Sequence, residues 1–149
     1  MRASAETVID GPIEAVWAWA SDPWQWPRWQ QEVLDVRVSG ELSRGSRFNG
    51  SLGSDGDAHD VEFEIVERRP PWRQVVRAIA GPFPFEGTLE LFEDSSGTRV
   101  RQSVDAGPDD ALARFLFWTA RPLVRRGMRR RIEGQLARLK EMVELERAG

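Results

Sequence analysis

Apolar and polar residues alternate cleanly along residues 61–69. Val61, Phe63 and Ile65 share one face, and glutamates occupy the other. This period of two predicts a β-strand that buries one face only. Six further strand-like segments, separated by Gly, Pro, Ser and Asp turn signals, occupy residues 6–10, 33–40, 46–53, 73–81, 81–94 and 99–107. Their short connections predict an antiparallel meander of about seven strands.

Between the first two strands the apolar spacing becomes that of a helix. Pro12 marks its start. The apolar residues that share one helical face are Ile13, Val16, Trp17 and Ala20. The segment DPWQWPRW (22–29) interrupts this pattern, and Pro27 should push Trp26 out of the helical region. We therefore expect a short helix, a break, a turn or second short helix, and an extended exit.

The last third of the chain is helical in period. Pro108 opens a helix, and Pro122 should kink or break it. Beyond that point, apolar residues recur at steps of four, four, three and four, at Met128, Ile132, Leu136, Leu139 and Val143. This spacing predicts one long amphipathic helix of about 24 residues.

These elements predict an α+β fold. The strands have one apolar face and the C-terminal helix has one apolar stripe, so each must cover the other. The short helices between the first two strands would close one end of the sheet. A chain of 149 residues is the size of one domain, and we expect residues 1–149 to form one.

Composition and charge exclude several classes of protein. The chain has no cysteine, which rules out disulfides, thiol nucleophiles and zinc–thiolate sites. It shows neither a signal peptide nor a membrane-spanning run, so we expect a cytoplasmic protein. The formal net charge is −3, which makes nucleic acid a poor partner. Basic residues concentrate after residue 107, mostly as arginine.

Several segments together resemble a known superfamily. They are VIDGPIEAVWAWASDPWQWPRW near the start, ERRPPWR in the middle, GTRV at 97–100, and LARLKEMVELE near the end. In order and spacing they resemble the START-like, helix-grip (Bet v 1-like) superfamily, and within it the SRPBCC group of polyketide cyclase/dehydrase proteins. The resemblance covers nearly the whole chain.

The resemblance implies a curved seven-stranded antiparallel sheet wrapped around the long C-terminal helix, with a deep apolar cavity between them. It implies binding of a small hydrophobic molecule of the lipid, polyketide, isoprenoid or quinone type, including a carrier role for lipid transport. Some members are cyclases or aromatases and others only bind ligand, so a cyclase/aromatase-type enzyme using Asp, Glu or Arg in the cavity is the alternative.

Tryptophans are the first candidates for contact with a ligand. Trp17, Trp26 and Trp29 either plug one end of the sheet as core or also line the mouth of the cavity. Trp29 is the strongest candidate of the three. Phe63 belongs to the same apolar surface, because it lies on the buried face of its strand. Trp24, an extra tryptophan in the 22–29 segment, is expected at the surface.

Polar candidates are fewer. Gln102 lies between Val100 and Val104 on an inner face, where an amide needs either a protein partner or a ligand. Arg77 raises the same question, but the register of its strand is ambiguous. In the arginine-rich run, Arg125 falls close to the apolar stripe and is a candidate for holding a ligand carboxylate or enolate.

No catalytic residue, metal site or cofactor is indicated. The single histidine, His59, lies in a polar segment (54–60) that is expected to be a turn, and the acids beside it do not follow an EF-hand pattern. A second alternative is a membrane or partner interaction module using the arginine-rich segment 121–131. A monomer and a homodimer both remain open.

Overall fold

The computed structural model describes residues 2–54, 57–81, 84–106 and 121–149. Its sheet has seven antiparallel strands, in the spatial order β1-β7-β6-β5-β4-β3-β2. The strands are β1 Arg2–Ile9, β2 Val33–Arg37, β3 Arg47–Ser54, β4 Asp57–Arg69, β5 Arg73–Ala80, β6 Phe85–Asp94 and β7 Gly97–Ala106. The predicted α+β architecture with a curved seven-stranded sheet and a long C-terminal helix is confirmed.

The helices lie at the two ends of the chain. The described helices are α1 Ile13–Ala20, a 3-10 helix Pro23–Gln25, α2 Trp26–Trp29, and α3 Arg121–Ala148. The prediction that Trp26 leaves the helical region is wrong, since its backbone angles are helical (φ −53, ψ −44). Trp26 begins α2 and Pro27 follows in the first turn, where the missing N–H of a proline costs nothing.

The predicted apolar stripe of α3 packs on the sheet. Ile132, Leu136, Leu139 and Val143 are all buried, and Met128 packs against the same core from the side. The helix makes most of its contacts with β1 and further contacts with α2 and α1. Burial of four large side chains supplies roughly 1.5–3 kcal/mol each, so this stripe is what attaches α3 to the sheet.

Polar contacts set the position of the C-terminal half of α3. Lys140 Nζ donates to the carbonyl oxygen of Val8 at 2.9 Å. Glu144 accepts from the backbone N–H of Asp10 at 2.9 Å. Glu146 accepts from the indole N–H of Trp19 in α1. These three contacts tie the helix to the end of β1 and to α1.

Two bulges change the register of β4 against β5, one between Glu62 and Phe63 and one between Ile65 and Glu67. β4 is also longer at its start than the sequence predicts, because Asp57 already pairs with Ser54 of β3. His59 therefore lies within a strand, opposite Leu52, and not in a turn. Its side chain is exposed.

No helix in the described ranges is long and apolar enough to cross a membrane.

Gly134 offers a test of helix stability, because a Cβ added there meets nothing within 4 Å. We expect Gly134→Ala to stabilise the protein by about 0.5–1 kcal/mol, since alanine loses less backbone entropy in a helix.

Gly97 is the opposite case: its φ is +136, and a Cβ would lie 2.2 Å from the carbonyl oxygen of Ile9. Gly97→Ala should destabilise by about 3 kcal/mol. Urea denaturation measures both, and a destabilising Gly134→Ala would contradict the assignment of this face to solvent.

Glu144 predicts a loss of stability in acid. The hydrogen bond from Lys140, with help from the Asp10 N–H, holds the pKa of Glu144 below its ordinary value of 4.5. A lowered folded-state pKa contributes stability above pH 4.5, and that stability is lost as the pH falls through the folded-state value. The difference in unfolding free energy between wild type and Glu144→Gln should have its largest value at pH 7 and should decrease below pH 4.5. A difference that does not change with pH would show that the ion pair contributes nothing.

Candidate functional site

The concave face of the sheet carries a cluster of aromatic side chains. Trp26 lies 5.6 Å from Phe48 and 5.8 Å from Phe63, measured between ring centroids. Phe63 stacks on Phe48 at 5.2 Å and meets the edge of Phe85 at 6.2 Å. Phe85 is only half-buried, whereas the other three rings are buried. The cluster therefore runs from the core under α2 toward the end of the sheet where β6 begins.

One polar row crosses this otherwise apolar face. The strand registers align Arg68 of β4 with Gln74 of β5, then Leu89 of β6, then Gln102 of β7 and Ala5 of β1. Neighbouring strands are about 4.8 Å apart, so Arg68 and Gln102 lie roughly 14 Å apart along the row. Three polar side chains thus share one line across the inner face of the sheet.

Arg68 is a half-buried cation at one end of this row. Its guanidinium lies 5.3 Å from the ring centroid of Trp17 and donates to the side-chain oxygen of Gln74. No carboxylate in the described ranges forms an ion pair with it. Burial lowers the pKa of Arg68 below its usual value, and the charge of Asp22 opposes that shift. Four of its five N–H groups have no hydrogen-bond partner in the described ranges, which leaves them available to an anion.

Gln74 and Gln102 lie in the same row but differ in their hydrogen bonds. Gln74 is 2% exposed, accepts from Arg68 and donates to the carbonyl oxygen of Ser21 at 3.1 Å. Gln102 is half-buried, and its side chain has no hydrogen bond to any residue in the part of the chain described. Gln74 is therefore the structural amide of the row, and Gln102 is the one that can bind another polar group.

Gly87 lets the side chain of Gln102 lie close to β6. A Cβ built on Gly87 would lie 3.4 Å from the Gln102 amide nitrogen. The amide therefore lies over the backbone of Gly87, on the inner face between β6 and β7.

Trp29 carries a second polar atom without a partner. The side chain is 1% exposed, and its indole N–H has no hydrogen-bond partner in the described ranges. Helix α2, which holds Trp29, contacts both α3 and β2. An unpaired buried donor costs about 1–3 kcal/mol, a cost that a ligand oxygen would remove.

The structure places the predicted candidates as follows. Trp17, Trp26, Trp29 and Phe63 are all buried in the single core cluster, and Trp26 and Phe63 are in contact. Gln102 lies on the inner face as expected. The side chain of Arg125 lies outside the described part of the structure, as does the segment before α3. The role of each candidate in ligand binding remains a prediction.

Sequence reasoning missed Arg68 and Gln74. Strict alternation from Val61 places Glu67 inward and Arg68 outward, but the bulge between Ile65 and Glu67 reverses this order. No feature of the sequence predicts that bulge. The register of β5, ambiguous from the sequence, places Arg77 on the convex face, where it pairs with Glu86 at 3.1 Å.

A second concave region lies outside this face. It is an open groove of about 390 Å³ where β1 meets α1 and the β6–β7 turn, and its lining includes Asp10, Glu14, Glu93, Asp94 and Arg147. In the described ranges, no three His, Asp or Glu side chains are arranged to hold a metal ion.

Comparison with known proteins shows the family of the chain. The sequence model of the family "polyketide cyclase / dehydrase and lipid transport" matches residues 1–144. No curated protein matches the chain by sequence.

Solved structures match the fold over nearly its whole length. A Thermus thermophilus protein superposes with a TM-score of 0.76 at 23% identity, covering 98% of this chain and 99% of its own. A START superfamily protein from Mycobacterium smegmatis gives 0.76 at 13% identity, covering 97% of each chain. The di-domain ARO/CYC protein StfQ of the steffimycin biosynthetic pathway gives 0.80 at 18% identity, with 99% of this chain and 51% of that one covered.

Replacing each glutamine of the polar row by leucine should separate a structural amide from a free one. Gln74→Leu leaves Arg68 and the Ser21 carbonyl without partners, and we expect a loss of about 1–3 kcal/mol in unfolding free energy. Gln102→Leu breaks no hydrogen bond to the described residues, so stability should stay within about 0.5 kcal/mol or rise. Urea denaturation of the two variants is the measurement. Equal losses would mean that Gln102 is also a structural residue.

Proposed function

The chain belongs to the polyketide cyclase / dehydrase and lipid transport family, and we propose that it binds a small hydrophobic ligand between its sheet and α3, as a carrier. Family membership and the START-like fold support a ligand-binding role. The observation that carries the proposal is the indole N–H of Trp29, which is buried without a hydrogen-bond partner in the described ranges. The half-buried amide of Gln102 also has no partner among the described residues. A buried donor that only filled the core would normally be paired.

The apolar surroundings suit the body of such a ligand. Phe63 and Phe85 form the part of the aromatic cluster nearest the start of β6, and the ring of Phe85 is only half-buried. Ligand sites of this kind are mostly apolar, with a few polar groups that fix orientation. Gln102 and the indole N–H of Trp29 would be such groups, since both can donate to a ligand oxygen.

Arg68 indicates the charge of the polar end of the ligand. Its guanidinium has no carboxylate partner in the described part of the chain, and it lies over the Trp17 ring. A half-buried cation without a counter-ion is stabilised by an anion. The ligand we propose therefore has an apolar body and an oxygen-bearing end, and a carboxylate at that end would pair with Arg68.

Native mass spectrometry of the purified protein, followed by solvent extraction, tests whether a ligand is bound. Palmitate and methyl palmitate then form a matched pair of probes that differ in the charge of one end. Wild type should bind palmitate more tightly than the ester, because only the carboxylate pairs with Arg68. In Arg68→Met, the ratio of the affinities for palmitate and methyl palmitate should fall by about tenfold, because a charge-assisted hydrogen bond is worth about 1.5–3 kcal/mol.

Gln102→Leu is the second arm of this experiment. It should weaken the binding of both probes, or shift their position, without lowering the stability of the free protein. If neither probe binds and no ligand is extracted, the carrier proposal fails. If both bind but Arg68→Met changes nothing, the hydrophobic site stands and the role of Arg68 is wrong.

A cyclase-type enzyme is the second candidate, and Arg68 is the observation that favours it. A half-buried guanidinium that lies over the Trp17 ring could stabilise negative charge that develops on a bound molecule. An enzyme would convert its bound molecule, so extracts of wild type and of Arg68→Met should differ in mass or absorption spectrum. Identical extracts would favour the carrier.

A further inference from the structure

The exposed side of α3 carries a group of arginines near its N-terminal end. Arg126, Arg129, Arg130 and Arg131 are all exposed and are here named the arginine cluster. Arg129 pairs with Glu133 at 3.1 Å, and Arg131 pairs with Glu32 at 3.1 Å. Arg126 and Arg130 form no ion pair with any residue in the described ranges. Within the described part of the chain, two positive charges of the cluster therefore have no carboxylate partner.

This placement is unfavourable for the helix itself. Arg126 and Arg130 stand four residues apart, so two like charges are neighbours on one helix surface, which destabilises the helix. The cost would be removed by an anion from outside the protein.

Arginines on the convex face of the sheet are paired with carboxylates. Arg73 lies between Glu67 at 3.0 Å and Glu90 at 2.9 Å, and Arg101 pairs with Glu6 at 2.7 Å. Arg37 and Arg44, in contrast, are exposed and, like Arg126 and Arg130, form no ion pair with the described residues. What distinguishes the arginine cluster is therefore its density, with four exposed arginines within six residues of one helix.

We propose that the arginine cluster docks the protein on an anionic lipid surface. The cluster spans residues 126–131, about 9 Å of helix, which suits a few headgroups of a flat surface. Duplex nucleic acid binders neutralise about 6–10 phosphates, more than this cluster provides, and the chain's net charge is −3. The opposite side of the same helix covers the core through Ile132 and Leu136, so docking places the helix that bounds the proposed ligand site against the bilayer.

Co-sedimentation with vesicles tests the proposal without any ligand. One set contains phosphatidylcholine alone, and the other contains phosphatidylcholine with 30% phosphatidylglycerol. Wild type should bind the anionic vesicles, release them at about 0.5 M salt, and ignore the neutral ones. Each arginine near an anionic surface contributes about 1 kcal/mol, so Arg126→Gln with Arg130→Gln should weaken binding by about 30-fold.

Arg37→Gln with Arg44→Gln is the matched control. Both residues are exposed; Arg37 lies in β2 and Arg44 follows it. The two substitutions change the net charge by the same amount as those in the arginine cluster. The control should bind as wild type does. Equal loss in the two double variants, equal binding to both vesicle types, or no binding at all would overturn the proposal. Tighter binding to soluble polyglutamate than to the vesicles would assign the arginine cluster to an acidic protein instead. Because no ligand is present, these outcomes do not depend on the carrier function.

Discussion

Burial of the apolar stripe of α3 against the concave face of the sheet is the contact on which the rest of the structure depends. A sheet with one apolar face cannot hide it alone, and neither can an amphipathic helix. Ile132, Leu136, Leu139 and Val143 satisfy both. The polar contacts of Lys140, Glu144 and Glu146 then set where the C-terminal half of the helix stands along β1 and α1. Any space for a ligand is defined by this pairing, because its walls are the same two surfaces.

A bulge in β4 decides the chemistry of those walls. Without the register change between Ile65 and Glu67, the alternation of β4 would direct a glutamate toward the core and leave Arg68 in solvent. With it, a guanidinium lies over the Trp17 ring and joins Gln74. The inner face then offers a cation and a free amide, at Arg68 and Gln102, instead of an acid. The same strand contributes its glutamates to the convex face, where they pair with arginines such as Arg73.

The 22–29 segment shows which structural features the local sequence pattern can predict. Its prolines predict a helix that breaks and restarts, and the structure has α1, a 3-10 helix and α2 in that order. The residue before a proline usually leaves the helical region, but this rule is only a preference, and Trp26 does not follow it. Packing of the Trp26 ring on Phe48 and Phe63 holds this residue in a helical turn. Trp29 is buried, but its indole N–H is left unpaired, which no sequence pattern indicates.

Periodicity determined the architecture. The alternation of strand residues, the step of three and four along α3, and the resemblance of the N-terminal segment together predict the sheet, its helix and the family. Periodicity acts on whole elements, so it survives errors of a few residues at their ends. The site depends on single residues and on register. Whether Arg68 or Glu67 faces inward, whether Arg77 pairs with Glu86 outside, and whether Gln102 finds a partner are decided by neighbours far apart in the chain. Those neighbours are known only in the tertiary structure, because a shift of one residue in a strand sends every following side chain to the other face.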